Sequence, residues 1–132
     1  MRTIRTERAP APVAGAPYSQ GVAATPGEVV YVSGQVPVDA ATGALVADDA
    51  AAQTLQCLRH VEAILEAAGA DLSDVVKTTI YLADLPADFP AMNGAYRSAL
   101  GAHAPARATV GVAALPLGAR VEIEAIAVIA GA

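Results

Sequence analysis

Tryptophan is absent from this chain, cysteine and phenylalanine occur once each, and histidine occurs twice. The single cysteine, Cys57, excludes an intrachain disulfide and fits a reducing, cytoplasmic setting. Neither a CxxC nor an HxxxH pattern occurs, so no metal site is expected. Charged residues make up 16% of the chain, against about 25% in an ordinary globular protein. The net charge of −5 argues against a nucleic-acid partner, which needs a basic footprint. No apolar run approaches the ~18 residues of a membrane span. The arginines of the first ten residues are followed by no apolar core, so no signal peptide and no membrane partner are expected.

What the chain does have is apolar residues, at 55%, many of them alanine. Its 132 residues suit one domain, 1–132, with thin, closely packed helices. Surplus apolar surface of this kind points to an oligomer interface. Residues 1–8 suit a short edge strand, ended by the prolines at 10 and 12. Residues 21–24 and 28–34 read as strands, and 75–83 as a long one. Asp48 or Asp49 can cap a first helix, in which Ala51, Leu55, Leu58, Val61, Leu65 and Ala68 form a stripe ending at Gly69. A second helix is predicted over 88–100, with Pro90 in its first turn. The expected fold class is α+β: a single mixed sheet of about six strands with both helices on one face. The other face carries Val30, Val32, Ile126 or their alternates, and other subunits are its simplest cover.

Two apolar runs, 105–110 and 121–126, flank the turn Leu115-Pro116-Leu117-Gly118. If they pair antiparallel, Arg107 shares a small sheet with Glu122 and Glu124. Alternation sends Val121, Ile123, Ala125 and Ala127 one way, and Glu122, Glu124, Ile126 and Val128 the other. Arg107, Thr109 and Gly111 share a side of their own run. Read from these residues alone, Arg107 is an ion-pair partner of Glu122 or Glu124, or a fork of donors for a ligand carboxylate. Cys57 reads as an inert small residue, His60 as helix surface, and Lys77 as an interface or sheet ion pair. His103 is a candidate for the pocket mouth.

Six pieces occur in order: Ala16-Pro17-Tyr18-Ser19-Gln20, Val32-Ser33-Gly34-Gln35-Val36-Pro37, Asp74-Val75-Val76-Lys77-Thr78-Thr79, Met92-Asn93, Pro105-Ala106-Arg107 and Val121-Glu122-Ile123-Glu124-Ala125-Ile126-Ala127. Together they resemble the Rid family of reactive intermediate deaminases, earlier named for YjgF, near its RidA branch. The resemblance covers nearly the whole chain. It implies a chorismate-mutase-like fold, a homotrimer and active sites at subunit interfaces. It also implies that Arg107 grips the substrate carboxylate, that Glu122 handles the attacking water, and that Tyr18, Ser33 and Asn93 line the pocket. Gly15 stands one place earlier than the family's usual glycine, and Ala16 replaces it. Thr109 stands where many members have cysteine, which argues against a cysteine nucleophile. Thr109 also counts among the candidate substrate-binding residues.

The implied activity is hydrolysis of 2-imino acids (2-iminopropanoate, 2-iminobutanoate) to 2-keto acids and ammonia. No cofactor is needed, because an imine is already electrophilic. The parts suffice: a bidentate arginine orients the substrate, and a carboxyl group carries protons. Two rivals remain open. One is a non-catalytic small-carboxylate-binding or regulatory trimer, which needs only the arginine. The other is a catabolic-pathway deaminase of the same family acting on aminoacrylate or aminomuconate-type substrates.

Overall fold

The computed structural model describes residues 1–12 and 16–131. Six strands and two helices follow the order β1 (Arg2–Ile4), β2 (Gly21–Ala23), β3 (Gly27–Gln35), α1 (Ala50–Ala67), β4 (Val75–Leu82), α2 (Leu85–Leu100), β5 (Ala106–Gly111) and β6 (Val121–Ala130). The α+β class holds, with both helices against one face of a mixed sheet. That sheet has four strands in the order β3-β6-β4-β5. The strands β1 and β2 form a separate two-stranded ribbon, so the six strands divide between two sheets.

α1 is set by local chemistry at both ends. Asp49 is the N-cap, and its carboxylate accepts from the Ala52 amide at 2.7 Å. At the other end Gly69 takes φ +82°, while the amides of Gly69 and Ala70 donate to the Glu66 and Leu65 carbonyls at 3.0 and 2.8 Å. This is a Schellman closure, which glycine permits without strain. The buried stripe is rotated from the predicted one. Gln53, Thr54 and Cys57 are buried with Leu58, Val61 and Leu65, whereas Ala51, Leu55 and Ala68 are not. Two polar residues enter the core because each is satisfied there. Thr54 donates to the Ala50 carbonyl at 2.7 Å, and Gln53 donates to Ala47 and accepts from the Arg120 amide.

α2 begins three residues before its predicted start. Asp84 caps it through the Ala87 amide, Pro86 occupies the first turn, and Pro90 lies inside the helix. Of the two prolines, Pro86 thus takes the position where a missing N–H costs nothing.

The predicted pairing of the last two runs does not occur. β5 runs parallel to β4, and β6 runs antiparallel to β4 on its opposite edge. The physical reason lies in the connection between them. The Val112 amide donates to the Leu82 carbonyl and the Ala83 amide to Arg120, so the link crosses the end of β4. Such a crossing is longer than the two-to-five-residue loop of a tight hairpin.

The alternation expected for β6 is present. Val121, Ile123, Ala125 and Ala127 are buried under the helices, and Glu122, Glu124, Ile126 and Val128 lie on the other face. Ile80, Leu82, Met92, Tyr96, Val121 and Ile123 form one core cluster, while Val32, Val61, Leu65, Val75, Ala125 and Ala127 form a second. Among the described residues no helix covers the opposite face. It carries the alternates rather than Val30 and Val32: Val29 is 44% exposed and Tyr31 76% exposed, beside Ile126 and Val128.

Candidate active site

β5 and α2 build the site together. Register pairs Arg107 with Thr78, whose hydroxyl bonds the Tyr96 hydroxyl at 2.9 Å beneath α2. Arg107 therefore points to the helix side of the sheet. Phe89, Asn93 and Tyr96 recur at helical spacing, so all three face it. The Arg107 guanidinium donates through Nη1 to Asn93 Oδ1 at 2.7 Å. Its carbon lies 5.0 Å from the centre of the Tyr96 ring, 5.1 Å from Tyr18 and 6.0 Å from Phe89. Cation–π attraction of this kind is worth about 0.5–2 kcal/mol, most where water is excluded. Burial pulls the Arg107 pKa below its ordinary value, and the Tyr96 and Tyr18 hydroxyls oppose that shift. Among the described residues no carboxylate lies within ion-pair distance of Arg107. The predicted ion pair with Glu122 or Glu124 does not form.

A cavity of about 180 Å³ opens beside this guanidinium, lined by Ala16, Tyr18, Phe89, Arg107 and Thr109. Pockets for drug-sized ligands have volumes of roughly 300–1,000 Å³, so this cavity suits a molecule of a few carbon atoms. Thr109 Oγ1 is buried and has no hydrogen-bond partner among the described residues. Tyr18 is held over Arg107 by its neighbours. Ser19 donates through its hydroxyl to the Ala104 carbonyl at 2.6 Å and through its amide to Pro105 at 3.3 Å. Gln20 accepts from the Thr6 amide at 2.7 Å and donates to the Thr6, Ala9 and Pro10 carbonyls. The N-terminal segment is thereby tied to the residues that precede Arg107.

The structure thus brings Tyr18, Asn93 and Thr109 together around Arg107. Ser33 and Glu122 are not brought there. Glu122 extends from the open face of β6, opposite Tyr81, and Ser33 is exposed in an irregular part of β3. One four-stranded sheet separates these two groups within a protomer. On that open face the Tyr81 hydroxyl donates to Glu124 Oε1, a bond that raises the Tyr81 pKa.

The other sequence candidates resolve as structural. His103 donates to the Val75 carbonyl at 2.8 Å and does not line the cavity. His60 is half-buried, not helix surface, because it donates to the Val38 carbonyl at 2.6 Å and ties that loop to α1. Lys77 is exposed on the open face and forms no ion pair among the described residues. Cys57 is a core residue whose thiol burial pushes up to about 12, aided by the Glu122 charge. Gly15 lies outside the described residues. The reading from sequence passed over Phe89, Tyr96, Ser19 and Gln20. The signal available was the helical spacing of Phe89 and Tyr96 about Asn93.

A family profile described as endoribonuclease L-PSP matches residues 7–129. The chain is 49% identical over 130 residues to the 2-iminobutanoate/2-iminopropanoate deaminase of Salmonella typhimurium, covering 96% of this chain and 97% of that one. The crystal structure of the YjgF gene product of E. coli matches with a TM-score of 0.72 at 46% identity, covering 97% and 98% of the two chains. E. coli TdcF with bound serine matches with a TM-score of 0.73 at 41% identity, covering 98% and 100%. With the arginine-centred cavity of β5 and α2 and these likenesses over almost its full length, the chain belongs to the endoribonuclease L-PSP family, the family of RidA and YjgF.

Proposed function

We propose that the chain is a deaminase that hydrolyses 2-imino acids such as 2-iminopropanoate and 2-iminobutanoate to 2-keto acids and ammonia. The single observation that carries the reading is the part-buried Arg107 guanidinium, which faces a small cavity with no carboxylate among the described residues to neutralise it. Such a cation is costly to bury unless a ligand supplies the countercharge. The identity to the Salmonella deaminase supports the same chemistry.

Arg107 grips the substrate carboxylate with its donor fork and so fixes the imine carbon. Water adds to that carbon as its proton leaves through Glu122, giving a carbinolamine once the nitrogen is protonated. The hydroxyl proton, passed to nitrogen through Glu122, expels ammonia as the C–N bond breaks, and the hydroxyl oxygen closes to the carbonyl of the keto acid. Atoms balance with water alone, and no cofactor enters. Tyr18, Asn93 and Thr109 shape and orient from the Arg107 side, and Ser33 with Glu122 supplies the other side. Because the sheet separates the two groups in one protomer, a site containing both is built between copies. A homotrimer that sets the β5 edge of one copy, with its Arg107, beside the Glu122 side of the next satisfies this, and burying the open faces in the same assembly covers Tyr31 and Val29. A cytoplasmic setting accords with the one buried cysteine.

The same separation favours a second reading, a small-carboxylate-binding trimer, since the arginine half is complete in one protomer. One assay distinguishes them: ammonia and keto-acid release from freshly generated 2-iminobutanoate, beside a buffer blank. Acceleration by the wild type, lost in Arg107→Ala and reduced in Glu122→Gln, supports the deaminase. A wild type that matches the blank yet binds 2-ketobutyrate through Arg107 supports the binder. The cavity volume of about 180 Å³ and the net charge of −5 support a small anion over RNA as the ligand.

A further inference from the structure

Glycine is required at some positions of this chain for backbone conformation: Gly43, Gly69, Gly101 and Gly118 have φ between 61° and 82°. Gly34 is not among them, so its backbone is one that any residue adopts. What glycine provides at position 34 is space. A methyl carbon there would lie 2.9 Å from Glu122 Cδ, 3.3 Å from Cγ and closer still to Oε2. The Glu122 carboxylate therefore rests against bare backbone, in the volume that a side chain would fill. The strand is shaped for this. Register passes from Val32 opposite Ala125 to Gln35 opposite Ile123, so Ser33 and Gly34 stand together against Glu124 in a bulge. Bulges re-aim side chains beside functional sites.

Gly27 provides the contrast. A methyl there would meet the Ile129 carbonyl carbon at 2.8 Å, which is backbone in the β3–β6 ladder. That obstacle cannot move without breaking the strand pair. At Gly34 the obstacle is the end of a flexible side chain, which can swing away while the ladder stays intact.

We propose that Gly34 is a positioning residue for Glu122, its missing side chain forming the seat that holds the carboxylate against β3. The catalytic consequence rests on the deaminase reading above. Gly34→Ala displaces the carboxylate and leaves the fold in place. Misplacement of a reacting group by ~1 Å costs up to about 100-fold in rate, so kcat is expected to fall at least tenfold while KM changes less than threefold.

The test is a double-mutant cycle with Glu122→Ala, read by kcat, KM, denaturation midpoint and the side-chain ¹³C resonance of Glu122. That resonance is assigned by its absence in Glu122→Ala. Gly34→Ala is expected to lower kcat and shift the resonance, and to do neither further harm nor good once Glu122 is alanine. Full activity with an unshifted resonance in Gly34→Ala overturns the proposal. So does an equal further loss in the Glu122→Ala background. If Gly34→Ala alone unfolds the chain, restored folding in the double variant supports the seat, and continued unfolding refutes it. If the wild type shows no deaminase activity, that reading fails, and the resonance still decides whether Gly34 seats Glu122.

Discussion

Replacing Arg107 by alanine separates a ligand clamp from a structural ion pair, because the two roles predict opposite balances of stability and activity. Among the described residues the guanidinium has one side-chain hydrogen bond, to Asn93 at 2.7 Å, and ring contacts at 5.0 to 6.0 Å. A hydrogen bond from a charged donor is worth about 1.5–3 kcal/mol net, and ring contacts about 0.5–2 kcal/mol together in this half-exposed setting. Against this stands the desolvation of a cation with no protein countercharge, which the substitution relieves. The terms nearly offset, and unfolding free energy is expected to change by less than about 2 kcal/mol. Breaking a true buried ion pair would cost about 3–5 kcal/mol. Ligand binding has no such offset. Loss of a bidentate carboxylate grip forfeits two charge-assisted bonds, about 3–6 kcal/mol, or roughly a hundredfold to ten-thousandfold in affinity. The assay pairs urea denaturation with calorimetric titration of 2-ketobutyrate, and with 2-iminobutanoate kinetics. Arg107→Lys, which keeps the charge but not the fork, should fall between wild type and alanine. Unchanged 2-ketobutyrate affinity in Arg107→Ala, or a stability loss above about 3 kcal/mol, refutes the clamp.

Thr109→Val keeps the shape of a residue whose buried hydroxyl lacks a partner. Removing such a group is expected to stabilise the fold by about 1 kcal/mol, seen as a higher urea midpoint, and a lower midpoint would mean that the hydroxyl is satisfied in solution. The bond to Glu124 raises the Tyr81 pKa, so its contribution is complete below the unfolded tyrosine value of about 10 and fades as pH climbs through the folded value. Tyr81→Phe should therefore lose less stability than the wild type above about pH 10 in pH-resolved denaturation, and identical alkaline slopes would count against the bond. Cys57 is fully buried with its thiol pushed up to about 12, so iodoacetamide at neutral pH should leave it unmodified until denaturant is added. Rapid labelling of the native protein, read by intact mass, would contradict that burial.

Sequence alone determined what depends on neighbours within a few residues. Asp48 or Asp49 at one end and Gly69 at the other marked the limits of α1, because a cap and a left-handed closure are local chemistry, and the structure chose Asp49. The two-residue period of β6 divided Val121 and Ile123 from Glu122 and Glu124 for the same reason. Motifs in order carried the family, and with it the expectation that Tyr18, Ser33 and Asn93 line a pocket about Arg107, of which the structure sets Tyr18 and Asn93 beside it. The tertiary structure decided which strands meet. Periodicity gives each strand two faces but does not name its neighbour, so β4 could enter between β5 and β6. That insertion, with the crossing link, sends Arg107 under α2 and leaves Glu122 on the open side. The rings around Arg107 depend on α2 lying over β5, and the core places of Gln53 and Thr54 depend on partners that only folding brings near. Gly34 shows the same limit most simply: its φ carries no demand for glycine, and only the approach of Glu122 from a distant strand supplies one.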